Sequence, residues 1–284
     1  RYDKQQVAQI LSIIFPIAGL SPAIAPFIGG VLETYLGWRY IFIFTACYGI
    51  FVFIFVTCSL TDNPNTHIRP MMSNADANRD SPILLVLKNR IFWGYTLIVA
   101  TAFAAFRTYT DESPFVFHQM GFSSLEIGNF YLPLSLAYLA GNLLTKKLLN
   151  RHPVDTIIKW GLQIMVGGSI LMVVLGFLEI PHPGTVFLSM SVITFSNGFL
   201  IPCGNAAALT SVPSRLTGIA AALVGISQLC VALCSVYCIS SLAKGQFLPL
   251  AWTIFVLSLL GIFNYITFII PKIMKARLVS PVDL

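Results

Sequence analysis

Few ionisable side chains stand inside or against the long apolar runs of this chain, and those few are the first candidates for chemistry. Arg107, Asp111 and Glu112 cluster at the end of one run. Arg107 and Asp111 are four residues apart, which sets them on one face of a helix. Charge is costly inside a membrane span, so such a group marks a functional site by default. One reading makes the cluster an outer gate, or a site for a proton or substrate; the other makes it an ion pair at a loop edge. Glu33 ends an earlier run near Arg39. It reads as a structural cap or interfacial pair, or, if it faces a cavity, as a group that trades a proton with a solute.

Polar uncharged residues inside the runs form a second set: Asn129, Asn142, Asn197, Asn205 and Gln228. Singly, each is suited to hydrogen-bonding another helix. Together with Tyr131, Tyr138 and Phe195 they could line a largely apolar cavity with a few polar contacts, which is what a small-molecule site needs. Lys146, Lys147 and Arg151 follow the fourth run, with Asp155 close behind. On residue type alone they read as a plain basic anchor of the positive-inside kind. His67, His118, His152 and His182 are scattered in loops without ligand spacing, so neither a metal nor another cofactor is expected. No phosphate-binding G-x-x-x-x-G-K-[ST] loop occurs, which disfavours ATP-driven work, and no nucleophile–base constellation points to an enzyme.

The elements that position these groups follow from composition. Of 284 residues, 56% are hydrophobic and 10% charged, and mean hydropathy is +0.81. A soluble protein carries about 25% charged residues. The chain therefore reads as an all-α integral membrane protein. Its net charge of +6 belongs to membrane topology and not to nucleic-acid binding. A span needs about 20 apolar residues. Eight candidates run over 7–32, 40–60, 91–106, 127–145, 157–178, 186–206, 216–243 and 248–270, with a polar segment at 61–90. With a cytoplasmic N-terminus, the outer loops hold only Arg39, Arg107 and Lys244 of the 17 Lys and Arg residues. That asymmetry puts both ends and the 61–90 loop on the cytoplasmic side. The six cysteines, Cys230, Cys234 and Cys238 among them on one helical face, read as small apolar packing residues.

The expected organisation is two spans over 1–61, a cytoplasmic linker over 62–90 and a six-span half over 91–284. A second half of six spans implies a first half of six, of which two are present. The chain opens Arg-Tyr-Asp-Lys without Met, directly before a span, as expected of a piece lacking its natural N-terminus. In the first span Ser21, Ala25 and Gly29 recur every fourth residue and form a smooth stripe, beside Pro22, Pro26 and Gly30. Small stripes let membrane helices approach closely, and Gly/Pro-interrupted spans are common in transporters.

These motifs resemble the major facilitator superfamily, and within it the bicyclomycin-resistance-like (Bcr/CflA) drug:proton antiporters. Pro26, Gly29 and Gly30 match the antiporter signature of the family's fifth helix, with Ser21 and Ala25 where the pattern has glycines. Gly37-Trp38-Arg39 matches the opening of the next helix, and Ser113–Phe117 resembles a stretch placed after the seventh. Gly121-Phe122-Ser123 resembles the family's turn before the eighth, and the residues from Asn205 to Gln228 resemble the motifs around helices ten and eleven. Asp111 and Glu112 depart from the small residues usual there. The resemblance implies a helical bundle in which eight of twelve transmembrane helices are present. It implies proton-coupled efflux of drugs or other small solutes across the bacterial inner membrane by alternating access. The implied partners are a small-molecule substrate, protons and the lipid bilayer, with no nucleic acid and a monomeric state. It implies that the signature helix lies where the two halves meet, that Asn205 and Gln228 are leading cavity residues, and that the basic turn after the fourth span carries a gating network. The alternatives are a truncated or non-transporting relative of the same fold (relic, receptor or scaffold), and an exporter of a specific metabolite or siderophore.

Overall fold

The computed structural model describes residues 4–19, 21–59, 81–178, 183–243 and 245–279. Every regular element among them is helical: α1 (Lys4–Gly19), α2 (Ser21–Leu36), α3 (Trp38–Ser59), α4 (Pro82–Leu87), α5 (Arg90–Gln119), α6 (Ser124–Leu148), α7 (Val154–Phe177), α8 (Pro183–Thr210), α9 (Thr217–Ala243), α10 (Phe247–Asn264) and α11 (Ile270–Val279). A π-helical turn, Tyr265–Ile269, joins α10 to α11 just before Pro271. Six segments are long and apolar enough to cross a membrane: Trp38–Ser59, Arg90–Gln119, Val154–Phe177, Gly184–Thr210, Ser214–Ser241 and Phe247–Met274. This is a multi-pass, all-α membrane fold. α6, with 25 residues, is also long enough to span, but carries Glu126, Lys146 and Lys147 near its ends.

The first expected span, 7–32, falls across two helices of 16 residues, α1 and α2. Pro22 stands in the first turn of α2, where a missing N–H removes no helical bond. At Gly37 the chain takes φ +91° and turns from α2 into α3, the Gly37 N–H reaching the carbonyls of Leu32 (3.0 Å) and Glu33 (3.1 Å). The expected linker over 62–90 lies mostly outside the described residues. Its described end forms α4, whose Ile83, Leu84, Leu85 and Leu87 are exposed.

Local chemistry sets the helix starts. Asn89 caps α5, its Oδ1 accepting the N–H groups of Ile91 (3.0 Å) and Phe92 (3.1 Å) while its Nδ2 donates to the Ser211 carbonyl at 2.9 Å. Ser123 and Glu126 form a capping box at α6. The side-chain and then the backbone hydrogen bond from Ser123 hold the Glu126 carboxyl below its ordinary value. Between α5 and α6, Gly121 supplies the positive φ, +89°, that the turn requires.

The core is built around α5 and α8. α5 packs against α8, α9 and α10; α8 packs against α6, α7 and α1. α3 rests chiefly on α2 and has no buried residue, so its apolar surface, including Phe42, Phe51, Phe53 and Phe55, faces outward. Cys203 is buried, but Cys47, Cys58, Cys230, Cys234 and Cys238 are exposed. Those five lie on α3 and on the outer face of α9, which turn away from the described core. In a bilayer those faces meet lipid or further protein.

A close helix crossing lies between α6 and α8. A Cβ at Gly198 would stand 2.6 Å from the Asn142 nitrogen and the Gly141 carbonyl carbon. The small residue expected to pack closely, Gly29, has open space where its Cβ would be, and Ala25 is exposed. Ser21, Pro22 and Pro26 belong to α2, but their side chains lie outside what the structure describes.

Candidate functional site

α5 continues for 30 residues and includes Ser113–Phe117, which the resemblance placed after the helix. Pro114 is thus inside a helix, where it lacks the N–H that would bond the Thr110 carbonyl. Tyr131 of α6 makes good that loss: its hydroxyl reaches the Thr110 carbonyl at 3.3 Å and the Ser113 hydroxyl at 2.8 Å. Pro202 does the same to the Gly198 carbonyl in α8, and Thr145 of α6 donates to that oxygen at 2.9 Å. Such repair is how a proline is tolerated where no water can help.

A cavity of about 410 Å³ opens between α5, α6, α8 and α9. Its walls are mostly apolar: Phe103 and Phe106 from α5, Leu134 from α6, Ile201 and Leu209 from α8, Ala221, Val224 and Gly225 from α9. Its polar contacts are Ser135, Tyr138, Thr194, Asn197, Asn205 and Gln228, and among the described residues no charged side chain lines it. Asn197 is 1% exposed and donates through Nδ2 to the Ala102 carbonyl at 3.3 Å. Its Oδ1 and the Thr194 Oγ1 are buried without a hydrogen-bond partner. Buried polar atoms of this kind are uncommon, because each forfeits its hydration. The cavity itself is an apolar enclosure with few polar groups on its wall.

Of the eight cavity residues expected from sequence, Tyr138, Asn197, Asn205 and Gln228 line this space. The other four do not. Asn129 is exposed, and Tyr131 is turned to the break at Pro114. Asn142 is buried at the Gly141–Gly198 crossing and donates to the Tyr138 carbonyl at 2.9 Å. Phe195 packs on Phe199, ring centroids 5.3 Å apart. The sequence reading missed Phe103, Phe106, Ser135 and Thr194. The signal was present on α8, where Thr194, Asn197, Ile201 and Asn205 fall on one stripe of a 3.6-residue period.

The charged cluster divides. Arg107 Nη2 stands 3.0 Å from Asp111 Oδ1 and 3.1 Å from Oδ2, on a solvent- or headgroup-accessible face. Glu112 is one residue on, about 100° around the helix, and is 1% exposed. Its Oε1 accepts a hydrogen bond from Ser240 of α9. One turn inward, Thr108 and Ser235 join the same two helices through hydroxyls 2.7 Å apart. Glu33 is exposed at the end of α2, and among the described residues no ion pair joins it to Arg39, which lies over the Trp38 ring.

At the opposite end, Lys146, Lys147 and Arg151 are exposed. Asp155 Oδ1 accepts the Tyr95 hydroxyl at 2.6 Å, and Lys272 Nζ donates to that same hydroxyl oxygen at 3.1 Å. Tyr265 adds a bond to the Asp155 carbonyl at 3.2 Å. The acid thus ties α5, α7 and the π turn together. The turn after α6 is held from α1, where Gln5 donates to the Leu149 carbonyl and Gln9 to Asn150 Oδ1 at 2.9 Å.

A family model described as the Major Facilitator Superfamily matches residues 1–235. Multidrug resistance protein MdtL of Shewanella oneidensis is 24% identical over 233 residues, covering 80% of this chain and 56% of its own length. An uncharacterized transporter of Rickettsia felis is 24% identical over 268 residues, covering 91% of this chain and 65% of its own. Multidrug transporter MdfA of Edwardsiella ictaluri is 26% identical over 168 residues, covering 59% and 40% respectively. The chain spans between two fifths and two thirds of the length of these relatives.

Proposed function

The chain belongs to the major facilitator superfamily, and we propose that it acts in proton-coupled export of small, uncharged, largely apolar solutes across the bacterial inner membrane. The observation that carries this reading is the cavity between α5, α6, α8 and α9, with its aromatic walls, its few hydrogen-bonding groups and its lack of charge. Relatives named as multidrug transporters support efflux, of the kind the bicyclomycin-resistance-like antiporters represent. The Lys and Arg asymmetry supports cytoplasmic placement of both ends. In this reading the described half closes one side of the cavity, and partner helices ahead of α1 complete the other. Transport proceeds by alternating access: a solute shifts the equilibrium between inward- and outward-open states only by the difference in its affinity for them. The protein works as a monomer.

The test uses 7-amino-4-methylcoumarin, an uncharged aromatic fluorophore with one carbonyl and one amine, in proteoliposomes under an imposed proton gradient. The expected result is gradient-driven movement of the probe, with binding weakened roughly 2- to 12-fold by Q228A, the loss of one hydrogen bond of about 0.5–1.5 kcal/mol. A quaternary-ammonium analogue should bind worse, since no carboxylate faces it. Equal handling of both probes, or Q228A binding equal to wild type, would remove the cavity from the mechanism.

A further inference from the structure

Glu112 is the one fully buried carboxylate among the described residues. Its Oε1 is engaged by Ser240, and its Oε2 is buried with no hydrogen-bond partner among the described residues. No ion pair to it exists among the described residues. A carboxylate with a purely structural role is satisfied at both oxygens, because a buried charge left half-paired is unfavourable. The open oxygen is free to take a proton without displacing a donor. With the proton on Oε2 the group is a neutral acid, and on release the carboxylate keeps the Ser240 hydroxyl as its donor.

The surroundings are simple to name. On α5 itself, Asp111 turns outward to Arg107, and Tyr109 is buried on the same stretch. α9 brings the hydroxyls of Ser235 and Ser240, while its Tyr237 and Cys238 are exposed. α6 brings Tyr131, already engaged with Ser113. α10 has no ionisable side chain, and α8 has only Cys203. Along the seam between α5 and α9 the polar groups form a series. Glu112 and Ser240 come first, then the Thr108–Ser235 pair, about 6 Å along α5, and then the cavity at Phe106 and Gln228.

We propose that Glu112, held by Ser240, is a proton-binding site in the α5–α9 seam, and that the Thr108 and Ser235 hydroxyls link it to the cavity. The role of the site in driving export rests on the transport reading above; the site itself does not. The proton arrives from the outer side of the membrane, resides on Oε2 and leaves by the hydroxyl pair when the cavity opens inward.

Infrared difference spectra of the full chain in lipid vesicles, taken across a pH titration, read the carbonyl stretch of protonated carboxyls. The expected result is a pH-dependent band that persists in D111N, is lost in E112Q and shifts in frequency in S240A. S240A leaves the carboxylate in place and keeps the test open should E112Q not fold. A band unchanged in S240A, or in a folded E112Q, overturns the proposal. Coumarin export separates the two readings. Gradient-driven export that survives undiminished in E112Q overturns the role of the site in driving export and leaves the transport reading standing. A Glu112 band in a protein that moves no probe keeps the site and removes the transport reading.

Discussion

Replacing Gly198 by alanine tests the helix crossing that frames the cavity. The new Cβ would lie 2.6 Å from the Asn142 nitrogen, 2.6 Å from the Gly141 carbonyl carbon and 2.8 Å from the Gly141 Cα, where ordinary contact begins at 3.4 Å. All three atoms are backbone, so no rotamer change relieves the clash. α6 and α8 must part by about 0.8 Å at this point. Overpacking of this kind costs about 1–3 kcal/mol. Separation also stretches the 2.9 Å bond from Thr145 to the Gly198 carbonyl, a bond of about 0.5–1.5 kcal/mol whose acceptor Pro202 has left without its helical donor. The two terms sum to about 1.5–4.5 kcal/mol, of which replacing a helical glycine returns up to about 1 kcal/mol.

Gly167 of α7 is the internal control. It is exposed, and its Cβ position is open space, so alanine there removes only the helical penalty of glycine and stabilises by up to about 1 kcal/mol. Unfolding of both variants is followed by tryptophan fluorescence in mixed micelles titrated with a denaturing detergent. The two substitutions are chemically identical and opposite in expected sign. A G198A variant within about 0.5 kcal/mol of G167A would show that backbone proximity at this crossing is not what holds α6 to α8.

Three further outcomes follow from the same geometry. Y131F should cost about 1–3 kcal/mol, and clearly less in a P114A background, where Thr110 regains its helical partner; additive costs in a double-mutant cycle would refute the repair role. Y95F removes both the bond to Asp155 and the acceptor for Lys272, so it should lower unfolding stability by about 1–3 kcal/mol, whereas an unchanged transition would exclude the network as a tie between α5 and α7. Ser123 holds the Glu126 carboxyl below its ordinary value, so the contribution of Glu126 is present above the unfolded carboxyl range and is lost as pH falls through the lowered folded value. E126Q should flatten that part of the acid stability profile, and a wild-type slope in E126Q would contradict it.

Hydropathy and charge made the membrane class legible because they are sums over many residues. Individual roles were less legible, since they depend on rotation about a helix axis. Asp111 and Glu112 are neighbours in sequence, yet one pairs at the surface and the other is buried against α9. Asn197 and Asn142 are equally polar and equally buried, but only Asn197 lines the cavity. The proline breaks were visible as residues; the side chains that repair them were not, because Thr145 and Tyr131 lie 53 and 21 residues from the carbonyls they serve. The anchoring of α1 by Gln5 and Gln9 carried no sequence signal at all, being fixed by where α1 crosses the end of α6.

The repairs explain how the cavity keeps its polarity low. α5, α6 and α8 each carry an internal proline. The carbonyls freed by Pro114 and Pro202 are answered by Tyr131 and Thr145, which consequently turn away from the cavity. Asn205 instead donates to its own helix at the Ile201 carbonyl, 2.8 Å away, and still lines the wall. The polar groups on the wall are then a short set, Ser135, Tyr138, Asn205 and Gln228 among them. A few weakly polar positions in an apolar enclosure favour many solutes slightly over water and none by a large margin, since one hydrogen bond contributes only about 0.5–1.5 kcal/mol. Under the proposed export reading, proline placement bears on breadth of substrate, because the carbonyls freed by Pro114 and Pro202 are held by side chains and not left to a guest.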